Sequence, residues 1–281
     1  MELIKNHEHY ISLVKDVNDR FRPVITNCYL SSEIIDKYIR RKSFFYQTIE
    51  RGILFLADEC SYYKAYYYIN PEVNEIAVSA NKLIVIQTLY KKKDKRLNKI
   101  EELFQNAGFK YTCTELQMKV SVSEERALLL EPYKKALKLF DIYKLSLVYP
   151  SNAMFDQLRA MQYETPDIAY WRFYYYTDIE LETDAKEKKL RCVIDASGNI
   201  IGAVHEHADG MGWIAVKREY KLIPGVAIVL RMPPDTYTGY KIGWIQPENK
   251  QSMNFHTKVG YKETGVRMDE WIKEYVPMRG K

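Results

Sequence analysis

The sequence predicts an α+β fold, in which two copies of one mixed α/β topology follow each other along the chain. Its 281 residues allow one large domain or two of about 140 residues, and we expect two. The hexapeptide AGFKYT at residues 107–112 recurs as VGYKET at residues 259–264. Each copy follows an amphipathic, helix-like segment and leads into a strand-like run, so the repeat extends to local structure.

In the second half, the predicted order is β-α-α-β-β-β-α-β-α-β. Pro150-Ser151-Asn152 begins the first helix, and Pro224-Gly225 begins the third, which is short. The predicted strands are 143–149, 190–196, 200–205, 213–217, 240–245 and 261–271. The predicted helices are 153–163, 167–177, a short one ending before Pro233, and 249–258, with a polar stretch at 180–189.

The first half follows this outline, but no glycine-led helix separates its last two strands. Its predicted helices are 9–17 and 31–41, followed by strands at 52–57, 62–69, 73–78 and 83–89. Residues 123–140 open with a capping-type Ser123-Glu124-Glu125 and form a helical connector, bent or divided at Pro132. We therefore expect a first domain at 1–122, a connector at 123–141 and a second domain at 142–281.

Composition excludes several classes of protein. The net charge of +5 is spread over both halves, which argues against a basic nucleic-acid-binding arm. No stretch approaches the ~20 apolar residues of a membrane span, and the first ten residues lack the apolar core of a signal peptide. The four cysteines have neither zinc-ligand nor disulfide-framework spacing, so we expect reduced thiols. We expect a cytoplasmic protein with no nucleic-acid partner, membrane partner or bound metal.

The segment NKQSMNFHTKVGY at residues 249–261 resembles the GNAT superfamily of acyl-CoA-dependent N-acyltransferases. The corresponding family segment reads approximately N-x-x-A-x-x-L-Y-x-K-x-G-F, so Asn249, Lys258 and Gly260 match outright. With the repetition and strand order, the chain resembles a tandem GNAT protein. This resemblance implies two domains, each a twisted, mostly antiparallel mixed sheet flanked by helices. It also implies acetyl-CoA or another acyl-CoA as co-substrate, a primary amine as acceptor, and a cofactor role for Asn249 and Lys258.

His256 stands where the family commonly has a tyrosine that protonates the departing CoA thiolate. An unperturbed histidine pKa of ~6.5 leaves an appreciable protonated fraction near neutrality, so a histidine could supply this proton. The alternative is that His256 only packs in the fold or lies at the surface. Both interpretations stay open at this point.

The resemblance also implies a loop that binds the CoA pyrophosphate through backbone N–H groups at a helix N-terminus. The register places it at residues 222–227, LIPGVA, where Leu222 replaces the family's basic or amide residue. We expect pyrophosphate contacts from Lys221, Gly225, Val226 and Ala227. The alternative is that GVAIVL is a buried strand or core helix turn.

In the family, a backbone N–H of the strand before this loop binds the thioester carbonyl, which points here to Ala215 or Val216. For the base that deprotonates the amine, Glu206, His205, His207 and Glu219 are all possible, and Glu206 is our choice. The alternation of His205 and His207, with Asp209 nearby, is also a possible metal-ligand spacing, although a strand that leaves for a turn is the ordinary setting for such polar residues and is the interpretation we favour.

The aromatic run YWRFYYY occupies the region that lines the acceptor site in relatives, so Tyr170, Trp171 and Tyr174 are candidate substrate contacts. Helical spacing also fits core packing. In the first copy, the positions of Asn249, His256 and Lys258 hold Leu97, Phe104 and Asn106, so we expect a degenerate first copy. The predicted function is acyl transfer from CoA to a primary amine. The alternative is a non-catalytic acyl-CoA-binding or scaffolding protein.

Overall fold

The computed structural model describes residues 1–59, 62–78, 80–164, 178–207, 210–220, 225–235 and 237–275. The chain divides into two compact units, Met1–Glu115 with Val266–Lys281, and Leu116–Gly265. Strand β7 (Lys110–Ser121) begins in the first unit and ends in the second, and β13 (Lys262–Lys273) does the reverse. The compact units divide within these two strands, at residues 115/116 and 265/266. The predicted boundaries at 122 and 142 refer to the two repeated copies in the sequence, and they stay a prediction.

The first unit contains three helices among its described residues: α1 (His7–Arg20), α2 (Ser32–Arg40) and α3 (Lys95–Asn106). Its strands, besides parts of β7 and β13, are β1 (Glu2–Leu3), β2 (Ile25–Thr26), β3 (Phe44–Ile49), β4 (Gly52–Asp58), β5 (Tyr62–Ile69) and β6 (Leu83–Tyr90). The sheet has the order β1-β3-β4-β5-β6-β13-β7, and β2 pairs with β5. Strands β5 and β6 run parallel, whereas β3, β4 and β5 form antiparallel pairs.

Alternation along β4 places its side chains in two apolar cores, because successive residues of a strand point to opposite faces. Leu54 and Leu56 pack with Phe104 and Trp271 on one face. Phe55 packs with α1 and α2 on the other. The first unit thus buries both faces of its sheet, which accounts for much of the aromatic content.

The second unit contains α4 (Val122–Tyr143), α5 (Phe155–Glu164), α6 (Asp178–Lys186), α7 (Val226–Arg231) and α8 (Lys250–Lys258). Its strands, besides parts of β7 and β13, are β8 (Ser146–Val148), β9 (Leu190–Ile194), β10 (Ile200–His207), β11 (Gly210–Val216) and β12 (Tyr240–Ile245). The sheet order is β7-β12-β11-β10-β9-β8. All register pairs in this series are antiparallel except β11 with β12.

Helices cover both faces of this second sheet. On one face, Val204 and Val193 pack against α4 and α7. On the other, Ala203 and Ala215 pack against α5 and α6. Side chains of β10 therefore alternate between an α4/α7 face and an α5/α6 face, which decides where the polar residues at its end point.

The repeated hexapeptide is the same helix end in both units. Gly108 and Gly260 have φ of +85° and +93°, which an L side chain rarely adopts. The amide after each glycine bonds back to the helix, Phe109 N to Phe104 O at 2.9 Å and Tyr261 N to His256 O at 3.0 Å. This bonding is the glycine C-cap that the sequence predicts.

The strand predicted at 73–78 is wrong. Residues 73–78 form no strand, although Val73, Ile76 and Val78 pack in the first core. The polar stretch at 180–189, to which the sequence assigned no element, is helical as far as Lys186. Of the two outcomes predicted at Pro132, division is excluded, because α4 is continuous through this residue. The helix predicted at 167–177 lies outside the described residues. In the described part of the chain, no helix combines the length and apolarity needed to cross a bilayer.

Candidate functional site

Strands β11 and β12 enclose a slot, defined here as the gap between their facing edges beyond Gly210 and Ile242. The two parallel strands form one register pair, Gly210 with Ile242. The outer edge of β11 pairs with β10, and that of β12 pairs with β7. Because the strands part after this pair, backbone groups on their facing edges lack ladder partners and can bind an extended ligand.

The register identifies which N–H groups point into the slot. Lys217 N donates to Ile201 O at 2.8 Å, which makes these opposed residues a hydrogen-bonded pair of the β10–β11 ladder. In an antiparallel ladder such pairs recur at every second residue. Ala215, opposite Ala203, therefore directs its N–H toward β10, whereas Val216 directs its N–H toward the slot. Of the two predicted thioester donors, Val216 is the one whose N–H faces the slot, and its contact with a thioester stays a prediction.

His256 lies beside the start of the slot and is 8% exposed. A Cβ added to Gly243, the first β12 residue beyond the single pair, would lie 3.8 Å from His256 Nε2. The Tyr261 ring lies edge-on at a centroid distance of 5.0 Å. The imidazole therefore lies next to β12 at the first residue beyond its pair with β11.

The hydrogen bonds of His256 are those of a neutral ring. Nδ1–H donates to Ser252 O at 2.8 Å, and Nε2 lies 3.3 Å from Arg231 Nη1, from which it accepts. Burial, and then the charge of Arg231, lower the His256 pKa from 6.5 to about 4. The expectation of an appreciable protonated fraction near neutrality is therefore not met. The acid role of His256 stays a prediction that this geometry does not favour.

A chain of charged side chains, here called the buried ion network, connects three strands and two helices of the second unit. It consists of Arg191, Glu206, Lys241, Glu125 and Arg231. Lys241 Nζ lies 2.8 Å from Glu206 Oε1 and 3.3 Å from Glu125 Oε2. Arg231 Nε donates to Glu125 Oε1 at 2.6 Å. Each of these side chains is at most 5% exposed.

This network fixes Glu206, our predicted base. Its second oxygen accepts from Arg191 Nη2 at 2.8 Å, so both carboxylate oxygens are held by cations on the α4/α7 face. The assignment of Glu206 stays a prediction. The rest of the network was missed in the sequence, where its only signal is single charges inside apolar runs, such as VAIVLR and YKIGWI.

The candidate pyrophosphate loop is described from Gly225 onward, and Lys221 and Leu222 lie outside the described residues. Gly225 precedes α7 with φ of +121°, and a Cβ there would lie 2.7 Å from that of Ala136. Packing against α4 therefore requires this glycine. Val226 is buried, and Ala227 is half-buried. Their contact with phosphate stays a prediction, and the six-residue α7 is as short as the sequence predicted.

The two family matches on α8 occupy its ends. The Asn249 side chain caps the helix by accepting from Ser252 N at 3.0 Å. Lys258 is the last residue of the helix and is exposed. A cap explains the asparagine on structural grounds alone, and the cofactor role of both residues stays a prediction.

In the first unit, the corresponding gap is filled by the chain itself. Strands β5 and β6 pair from Tyr62–Leu83 to Ala65–Ile86, and β2 then pairs with the end of β5. The amide of Asn27, which is 6% exposed, follows β2 into the gap. Its Nδ2 donates to Ala65 O at 3.2 Å and Gln87 O at 2.9 Å, and its Oδ1 accepts from Tyr67 N at 2.7 Å.

The fold is similar to that of solved N-acetyltransferases. A tandem GNAT protein from the clavulanic acid biosynthesis pathway matches with a TM-score of 0.54 at 10% identity, over 98% of this chain and 98% of its own. The chain has the tandem GNAT fold. A GCN5-related glucosamine N-acetyltransferase region of a fungal multi-domain β-N-acetylglucosaminidase matches with a TM-score of 0.55 at 12% identity, over 94% of this chain and 36% of that one. No protein-family model and no curated protein sequence matches the chain.

Within this tandem GNAT fold, the two units differ at the residues that the sequence singled out. Phe104, the counterpart of His256, is fully buried in the first core. The candidate substrate contacts Tyr170, Trp171 and Tyr174 lie outside the described residues, as do Asp209 and the side chain of His207. His205 is buried and bonds to Asp184. Glu219 is exposed in a short 3-10 helix. In the described ranges, no group of three His, Cys, Asp or Glu residues could hold a metal ion.

Proposed function

We propose that the protein is an N-acyltransferase that moves an acyl group, acetyl in the simplest case, from CoA to a primary amine by direct transfer in the second unit. One observation carries the proposal. The second unit has a slot with a Val216 N–H directed into it, whereas the first unit fills its gap with Asn27. The tandem GNAT fold supports the same reaction class. The pantetheine arm of CoA is an extended chain with amides, which suits a gap between strand edges.

In this proposal, a backbone N–H of the slot, and not a side chain, stabilises the charge that develops on the thioester oxygen. The Val216 N–H stabilises the oxyanion that forms when an amine attacks the thioester carbonyl. The developing thiolate would leave near His256 and the permanently charged Arg231, which lies 3.3 Å from it. An acyl-cysteine route is disfavoured for Cys192, because burial raises the pKa of this thiol to about 12 and keeps it protonated.

Calorimetry with acetyl-CoA tests binding, and thiol release with acetyl-CoA plus glucosamine, spermidine and phenylethylamine tests transfer. We expect one acetyl-CoA bound per chain and amine-dependent thiol release. Val216→Pro removes the slot-facing N–H without removing a ladder bond, and should lower the rate about 10²- to 10³-fold. The matched control Val216→Ala keeps the N–H and should remain near the wild-type rate. Equal rates in the two variants would remove the oxyanion role from Val216.

The second candidate function is a non-catalytic acyl-CoA-binding module. The short α7 and the fixed Glu206 carboxylate favour it. The two candidates differ in one measurement, because a binding module gives a calorimetric signal without thiol release for any amine. Absence of both signals would contradict both candidates.

A further inference from the structure

A buried histidine–aspartate pair lies on the α5/α6 face of the second sheet, opposite the buried ion network. Alternation along β10 directs His205 to the face of Ala203 and Glu206 to the other. His205 Nε2 lies 2.8 Å from Asp184 Oδ2 on α6. The histidine is 2% exposed, whereas the aspartate is 21% exposed and reaches solvent. When a neutral ring donates from Nε2, its lone pair lies on Nδ1, where it can accept a proton.

The neighbouring strand supplies a hydrogen-bond donor beside this ring. Trp213 is opposite His205 in the β10–β11 register, with ring centroids 6.3 Å apart. Its buried indole N–H has no hydrogen-bond acceptor among the residues that the structure describes. A buried donor of this kind usually bonds to a water or a ligand. Trp213 lies two residues before Ala215 on the same face of the sheet and three residues before Val216 on the same strand.

We propose that His205 is the general base for the acceptor amine, and that Asp184 is the positioning residue that holds its ring. The proposal rests on the proposed function. The amine arrives as an ammonium ion and loses one proton to His205, directly or through a water bound to the Trp213 N–H. Its nitrogen then forms a bond to the thioester carbonyl carbon, and the carbon–sulfur bond breaks. The thiolate takes the second proton, and Asp184 stabilises the imidazolium until its proton passes to solvent.

The two neighbouring polar residues at the end of β10, His205 and Glu206, differ in the charged groups that surround them. Glu206 is held between Arg191 and Lys241, whereas His205 bonds to the carboxylate of Asp184. Other charged groups on the packed elements pair among themselves: Asp156, Arg159 and Asp178 on α5 and α6, and Glu187 with Lys189 after α6.

The test compares His205→Gln and Asp184→Asn with wild type, using acetyl-CoA and the panel amine that gives the highest rate. His7→Gln is the matched control, because His7 Nδ1 lies 2.7 Å from Asp36 Oδ1 in the first unit, far along the chain from the site. At pH 7, His205→Gln should lower kcat/KM about 10²-fold or more, and Asp184→Asn by less. The deficit should shrink toward pH 10, where the amine deprotonates unaided. The dissociation constant of acetyl-CoA and the rate of His7→Gln should stay at the wild-type values.

The outcomes separate the inference from the proposed function. Thiol release by the wild type that is unchanged in His205→Gln overturns the inference alone. A deficit of equal size at every pH also overturns it, because a purely structural histidine would slow the reaction uniformly. If the wild type releases no thiol with any panel amine, the proposed function and the inference both fail. If His205→Gln does not fold, the pH dependence of the Asp184→Asn deficit decides in the same way.

Discussion

Replacing Asn27 with alanine tests how the first unit closes its gap. The asparagine makes three hydrogen bonds to buried backbone groups, at 2.7, 2.9 and 3.2 Å. Alanine would leave Tyr67 N–H and two carbonyl oxygens without these partners. Each unsatisfied buried group costs about 1–3 kcal/mol, and a water entering the space would recover part of this. We therefore expect a loss of about 3–5 kcal/mol in the free energy of unfolding, a large share of a typical total of about 5–15 kcal/mol.

Urea denaturation and amide hydrogen exchange measure this effect. The urea midpoint should fall, and the Tyr67 amide should lose most of its protection from exchange. The matched control is Asn18→Ala, because Asn18 makes one half-buried bond to Val14 O at 2.8 Å, and its loss should cost about 1 kcal/mol or less. A cost below about 1 kcal/mol for Asn27→Ala, with the Tyr67 amide still protected, would refute the closure argument.

Three further predictions concern the second unit. Folding lowers the His256 pKa to about 4, so between about pH 6.5 and 4 the unfolded chain binds a proton at this residue and the folded chain does not. The contribution of the neutral His256 to the free energy of unfolding is therefore complete above pH 6.5 and is lost as the pH falls toward 4. The free energy of unfolding in urea should therefore fall by about 2–3 kcal/mol more for the wild type than for His256→Gln between pH 7 and 4.5. Equal losses in the two proteins would contradict this prediction. Among the described residues, the buried ion network has three cations and two carboxylates. Glu125→Gln increases this excess of positive charge and should lower the free energy of unfolding in urea by about 3–5 kcal/mol, whereas Lys241→Met reduces the excess and should lower it by less. The reverse order would contradict this prediction. Cys192 should resist alkylation in the native protein and react after unfolding, and Cys192→Ala should retain thiol release; loss of release would restore a covalent route.

Local rules recovered most of the elements that position the site. The strand Tyr240–Ile245 is as the sequence predicted, and the glycine-capped ends at Gly108 and Gly260 were readable because each depends on one residue with positive φ. The strand predicted at 73–78 failed because buried apolar residues there pack without a ladder partner. Apolar residues in a short segment indicate burial, and burial alone does not make a strand.

The sequence by itself determined the doubled topology, the helix ends and the candidate stretch from Asn249 to Gly260, because these depend on neighbours within a few residues. Only the tertiary structure decided which charges meet. Glu125 and Lys241 are far apart in sequence, yet their side chains approach to 3.3 Å. Only the fold also showed that Asn27 closes one gap while the Val216 N–H faces another. Such contacts depend on the register of the strands and on how the chain connects one element to the next, which local sequence patterns do not encode.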